Sequence, residues 1–184
     1  MSHLASTDFQ PLRIAVLTVS DTRSPDTDTS GNTLVDGLQA AGHLLAERAI
    51  VRDDIWQIRA RLSAWIASLD VQVVIVTGGT GFTARDNTPQ AVAPLLDKTV
   101  EGFGELFRQV SLEDIGTSTV QSRALAGISN GTLVCCLPGS PNACRTGWQR
   151  ILREQLDSRT RPCNFVPHLK RLSEQAQAIC GGRS

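Results

Sequence analysis

An α/β fold, a mostly parallel sheet with helices on both faces, is predicted by three observations. Val73 to Val76 is an unbroken β-branched run, the composition of a strand covered on both sides. It ends on a glycine turn, Thr77-Gly78-Gly79-Thr80-Gly81, and a helix start follows at Thr88-Pro89. Along the rest of the chain, short apolar runs alternate with segments of helical periodicity, an order that gives parallel strands joined by right-handed crossovers. The 184 residues show no repeat and no linker, so they read as one domain with room for a real core.

Each element has its own signal. Arg13 to Ser20 supplies the first strand through Ile14, Val16 and Leu17. A polar loop leads to Leu34, Leu38, Ala41 and Leu45 at helical spacing, with Thr29 or Ser30 as the expected cap and Gly42 as the stop. Leu44 to Val51 is the second strand. Ile55, Ile58, Leu62, Trp65, Ile66 and Leu69 then make the clearest amphipathic helix, with Asp53 or Asp54 at its start and Gln57 placed as in a capping box. After the glycine turn, Thr88 is expected to cap a short helix that Pro94 limits. Lys98 to Glu101 reads as a short extra strand. Phe103, Leu106, Phe107 and Val110 share a helix face that would suit a subunit contact, and Ser111 to Gly116 breaks the pattern. Thr117 to Ala126 is expected to be helical. Thr132 to Leu137 is the last buried strand, and a helix from about Asn142 buries Cys144 and Trp148. Residues 1–11 are expected to be flexible, 12–157 to form the domain, and 158–184 to be a tail packed on the domain or on a neighbouring subunit, with Gly181-Gly182 disordered.

The bulk numbers exclude several classes. Net charge is zero, which argues against a broad nucleic-acid or anionic-membrane surface. No apolar run approaches the roughly 20 residues of a membrane span, and Met1 to Gln10 lacks the apolar centre of a signal peptide, so a cytosolic location is expected. Five cysteines without a CxxC pair suit reduced thiols, with no structural metal. His3, His43 and His168 have no acid or cysteine partner nearby in sequence and read as surface residues.

Chemistry is expected at the carboxyl ends of the strands, where open α/β sheets bind ligands. Four loops end there: Ser20-Asp21, Asp53-Asp54, Thr77 to Asp86, and Pro138-Gly139-Ser140-Pro141. The glycine turn is neither GxGxxG nor a P-loop, but bare amides there suit a phosphate; a plain strand-to-helix connection is the alternative. Asp53 and Asp86 either cap helices or hold Mg2+ beside that phosphate. Asp86 is the less easily explained as a cap, because Thr88 serves better. Ser111, Ser122 and Arg123 are either helix-surface groups or anchors for a ligand's phosphate or polar ring.

Several motifs occur in a specific order: RIAVLTVSD, DTSG, the acid at Asp53, TGGTG with Asp86 and Thr88-Pro89, Glu101-Gly102-Phe103-Gly104, Ser122-Arg123, and LPGSP. With them, the stretch from about Leu12 to Asp157 resembles the MoaB/MogA family of molybdenum cofactor biosynthesis proteins, related to the G domain of gephyrin. The ending Thr160-Arg161-Pro162-Cys163-Asn164-Phe165 resembles the MoaB branch in particular, and Arg52 stands where MogA-like members usually have proline. The resemblance implies a three-layer α/β/α sandwich that forms homotrimers or homohexamers. It implies molybdopterin as substrate and, in active members, its adenylylation by Mg2+ and ATP before metal insertion; a non-catalytic molybdopterin carrier is the alternative. Carried over, Thr77, Gly78, Gly79, Thr80 and Gly81 would cradle phosphate, and Asp53 and Asp86 would be the essential acids and metal ligands. Ser20, Ser30, Ser111, Ser122, Gly139, Ser140 and Pro141 would hold the pterin. Other cofactor-synthesis proteins are possible partners; nucleic acid and membrane are not expected.

Overall fold

The computed structural model describes residues 8–170. Six strands form one sheet: β1 (Arg13–Val19), β2 (Leu44–Val51), β3 (Val73–Thr77), β4 (Lys98–Thr99), β5 (Leu125–Ser129) and β6 (Thr132–Leu137). Their order is β2-β1-β3-β6-β5-β4, and β2, β1, β3 and β6 run parallel. β5 is antiparallel to both its neighbours.

The β-branched run behaves as its composition requires. Val73, Val74, Ile75 and Val76 are fully buried, with alternate side chains on opposite faces of the sheet. Val73 and Ile75 join a core with Leu34 and Leu38 of α1 (Thr29–Ala40), Phe103, Phe107 and Val110 of α4 (Glu101–Ile115), and Cys144 of α5 (Pro141–Gly147). Val74 and Val76 join a second core with Ile58, Leu62, Trp65 and Ile66 of α2 (Ile55–Ala67), and Ala91 and Val92 of α3 (Thr88–Val92). Each such side chain contributes about 1.5–3 kcal/mol of transfer free energy, so the two cores clamp the sheet from both sides. The expected subunit face on α4 is therefore corrected: Phe103, Phe107 and Val110 are core residues.

Register sets up the ligand edge. Thr18 pairs with Thr77, and Thr77 with Leu137, so three parallel strands end in one row. The strand order reverses between β1 and β3, which opens a crevice beyond their carboxyl ends.

Several local expectations are corrected. Asp28, not Thr29 or Ser30, caps α1 by accepting the Gly31 N–H. Thr88 lies inside α3, where its hydroxyl donates to the Gly78 carbonyl at 2.8 Å. α4 continues through Ser111 and stops at Gly116, whose φ is 56°. The helix expected over Thr117 to Ala126 is only partly present: Gly116–Gln121 is a 3-10 helix, and β5 begins at Leu125. The missed signal was Asn130-Gly131, both at positive φ, the two-residue turn that joins antiparallel strands. Gly127 also belongs there, since a Cβ would lie 2.6 Å from the Lys98 carbonyl oxygen on β4. His43 is buried, not superficial: its Nδ1 accepts the Leu12 N–H at 3.2 Å, and its ring lies between Phe9 and Trp148.

At the ends of the described chain, Phe9 packs on His43 and the Gln10 N–H donates to Ser158 Oγ. Ser158 and Asn164 are buried, and the Lys170 N–H donates to the Gly131 carbonyl. The expectation for Gly181-Gly182 lies outside the described residues. Among those described, no helix is long and apolar enough to cross a membrane.

Candidate functional site

The row of strand ends brings three loops together. A cleft of about 200 Å³ is lined by Thr18, Ser20, Arg23, Thr77, Gly78, Gly79 and Gly139. Its floor requires glycine. Gly78 has φ 96°, and a Cβ there would lie 2.2 Å from the Val19 carbonyl oxygen. Gly139 approaches it from β6, where a Cβ would lie 3.1 Å from the Gly78 Cα. At these two positions the cleft meets backbone and no side chain.

The glycine turn divides its groups. The Thr77 hydroxyl donates to the Pro138 carbonyl at 3.0 Å and lies 3.1 Å from the Cys144 sulfur, so it holds two loops together. The Gly78 N–H donates to the Leu137 carbonyl, whereas the Gly79 N–H has no protein acceptor among the described residues. The carbonyls of Thr80 and Gly81 accept from the Arg123 guanidinium, which also reaches the Asp86 carbonyl at 2.8 Å. Arg123 thus forks across both ends of the loop, and its guanidinium lies 5.1 Å from the centre of the exposed Phe82 ring. The sequence left Arg123 as either a helix-surface group or a ligand anchor; it spends its fork on the backbone and shapes the turn.

The two acids separate cleanly from the caps. Asp54 caps α2, accepting from the N–H groups of Trp56 and Gln57 at 3.0 and 2.9 Å. The Asp54 N–H goes to the Arg52 carbonyl, so the reciprocal half of a capping box is not made. Asp53 is released toward the turn. Its Oδ1 accepts the Asn87 N–H at 2.9 Å, and its own N–H donates to Asp21 at 3.4 Å. Asp53 is 9% exposed, and burial pushes its carboxyl up from the ordinary value; the charges of Asp86 and Asp21 push the same way, against the Asn87 hydrogen bond. Asp86 is half-buried and held below the ordinary range, first by the Thr83 hydroxyl at 2.6 Å. Arg85 pairs with Asp21 at 2.6 Å. Asp53, Asp86 and Asp21 therefore crowd one side of the turn. Among the described residues no cluster of three or more metal-ligating side chains is formed, so a cation here would share its coordination with ligand oxygens and water.

Ser111, Ser122 and Ser140 converge on a second pocket of about 110 Å³ between α4 and α5, with Phe107, Asp114 and Thr146. Among the described residues the buried Ser122 hydroxyl has no partner, a donor and acceptor available to a ligand. Ser140 caps α5 through the Ala143 N–H, and Pro141 occupies the first turn of that helix, lining neither pocket. Ser20 lines the glycine cleft and accepts the N–H groups of Thr22 and Arg23. Ser30 is buried and donates to the Gly139 carbonyl at 2.8 Å, so it positions the LPGSP loop. The buried thiols of Cys135 and Cys136 are pushed far up by desolvation, and that of Cys144 to about 11, which removes them as nucleophiles.

A family profile described as "Probable molybdopterin binding domain" matches residues 15–158. The chain is 59% identical over 166 residues to molybdenum cofactor biosynthesis protein B of Escherichia coli K12, which covers 90% of this chain and 98% of that protein. It is 42% identical over 146 residues to the protein of the same name from Halalkalibacterium halodurans, covering 79% and 86%. Among solved structures, a molybdenum cofactor biosynthesis protein B superposes with a TM-score of 0.78 at 43% identity, covering 80% of this chain and 92% of that one. The tungsten cofactor synthesizing protein MoaB from Pyrococcus furiosus gives 0.71 at 38% identity, covering 79% and 92%.

Proposed function

Because the chain belongs to the molybdopterin-binding domain family, and within it to the molybdenum cofactor biosynthesis protein B group, we propose that it adenylylates molybdopterin with ATP and Mg2+. The observation that carries this reading is the convergence of Asp53, Asp86 and the Gly78-Gly79 backbone at the switch point between β1 and β3, beside a pocket whose buried Ser122 hydroxyl has no partner among the described residues.

In this reaction a terminal phosphate oxygen of the pterin attacks the α-phosphorus of ATP. A new P–O bond forms there, and the bond to the leaving pyrophosphate breaks. The nucleophile is already an anion, so no strong base is needed. Repulsion between anions and charge on the leaving group make the barrier. Fixed donors address both. The Gly79 N–H is available at the turn, and Arg123 braces the loop through the Thr80 and Asp86 carbonyls, which limits its reorganisation. Ser111, Ser122 and Ser140 line the pocket in which the polar ring would be oriented.

Asp53 and Asp86 fit Mg2+: two carboxylates lie on one side of the glycine turn, and burial, with a smaller push from the Asp86 charge, raises Asp53, a cost that a bound cation would offset. When bound, that ion supplies charge stabilisation on phosphate oxygens. A cytoplasmic location and assembly as a homotrimer or homohexamer belong to the same reading. Leu112, Ile115 and Val120 are the exposed apolar side chains around the end of α4 that would be covered, and equilibrium sedimentation reads that association.

Incubation with molybdopterin, ATP and Mg2+ is expected to yield adenylyl-molybdopterin and pyrophosphate in the wild type and none in Asp86→Ala. Tight pterin binding with no product in the wild type would replace this reading with that of a molybdopterin carrier.

A further inference from the structure

The DTSG segment builds a charge cluster that the proposed reaction does not yet use. Asp28 is fully buried beneath the cleft. Its carboxylate accepts from Thr18 Oγ1 at 2.6 Å, the Gly31 N–H at 2.9 Å, Arg48 Nη2 at 2.8 Å and Arg23 Nη1 at 3.2 Å. Burial pushes this carboxyl up, but the bonds from Thr18, Arg48, Gly31 and Arg23 outweigh it, and the group stays ionised. Gly31 is part of the construction, since a Cβ there would lie 2.1 Å from Asp28 Oδ2.

Two guanidinium groups on one carboxylate leave an uncompensated positive charge. Arg48 turns its other nitrogen to Asn32 Oδ1 at 2.7 Å and does not line the cleft. Arg23 does line it, beside Thr18, Ser20, Gly78 and Gly79. Its position is determined at both ends: the backbone N–H donates to Ser20 Oγ at 3.1 Å, and Nη2 donates to the Gly139 carbonyl at 3.1 Å. The Ser30 hydroxyl holds that same carbonyl. A guanidinium fixed in this way loses little rotamer entropy when an anion arrives, and part of its surface stays open to the cleft.

We infer that Arg23 is an anion-binding residue of the glycine cleft, oriented by Asp28 as a positioning residue, and that it takes a phosphoryl group of the ligand bound there. This rests on reading the cleft as a phosphate site, but its test requires no catalysis.

Inorganic pyrophosphate is titrated into the full chain by calorimetry at several salt concentrations, without pterin or ATP. Arg23→Gln is expected to weaken binding about tenfold, the effect of losing one charge-assisted bond, and to flatten the salt dependence. Arg23→Lys should recover part of both. Arg61→Gln, the same charge change on the far exposed pair with Glu47, should leave binding within about twofold. Asp28→Asn should weaken pyrophosphate like Arg23→Gln; because it also loosens the α1 cap, the Arg23 variants decide. Unchanged binding in Arg23→Gln, an equal loss in Arg61→Gln, or no pyrophosphate binding by the wild type would overturn the inference. If the wild type forms no adenylylated product while the Arg23 effect holds, the adenylyltransferase reading falls and this one stands.

Discussion

Gly79 lies so close to Asp53 that a Cβ added to it would sit 2.5 Å from the Asp53 Oδ2, and 2.4 Å from the Thr88 hydroxyl. Its φ of 62° adds a second reason for glycine. Gly79→Ala is therefore expected to cost about 2 kcal/mol, through backbone strain and through displacement of the acid. Urea denaturation reads the first effect. Adenylyl transfer should fall further than the loss of folded protein explains, because the acid moves with the turn.

Asp53 carries a pH dependence with a definite sign. Its folded carboxyl titrates above its ordinary value, so the folded state binds more protons there than the unfolded state does. The stability it contributes is present below the unfolded value and is lost as pH rises through the folded one. Asp53→Asn keeps an oxygen for the Asn87 N–H and removes the charge. It should raise the denaturation midpoint at neutral pH and flatten the profile above pH 3.8, while abolishing product. A lower midpoint at pH 7 would contradict the desolvation argument.

Arg123→Lys separates shape from charge. One ammonium cannot span the carbonyls of Thr80, Gly81 and Asp86 that the guanidinium fork reaches. The turn should loosen, with a loss of about 1–2 kcal/mol in stability. The turnover number should fall by more than tenfold, about 1.4 kcal/mol in the barrier, with a smaller change in KM. Steady-state kinetics beside thermal melting distinguishes this from simple destabilisation.

His43 makes the opposite pH prediction. Burial lowers its pKa from 6.5, and Asp157 offsets only part of that. Its Nδ1 must stay unprotonated to accept the Leu12 N–H. The stability it contributes is present above the unfolded value and is lost as pH falls through the folded one. His43→Leu should flatten the acid limb of a pH-stability profile. It should also lower the plateau by about 1–3 kcal/mol, because the Leu12 donor loses its partner.

Local composition carried much of this architecture. The run Val73 to Val76 announced a strand buried on both faces, and both core faces confirm it. The apolar spacing of α2 was legible for the same reason: a helix face repeats within one turn of chain. β5 was not legible in that way. Its burial alternates imperfectly, and it exists because β6 and the Asn130-Gly131 turn recruit it. A strand of that kind is decided by its partners.

The site divides along the same line. Residue types and order pointed to the glycine turn, the Asp53-Asp54 pair, Asp86 and the LPGSP loop, because the chemistry of glycine and carboxylate is intrinsic to each residue, and the family resemblance chose Asp53 from its pair. Tertiary structure decided which of two adjacent aspartates caps a helix and which faces the turn, a choice settled by the Asn87 N–H from 34 residues away. It also decided that Arg123 shapes the loop, that Ser30 braces Gly139, and that Arg23 reaches the cleft. Each of these is a competition among hydrogen-bond partners. Its winner depends on the strand register that aligns Thr18, Thr77 and Leu137, a relation between segments that no single segment contains.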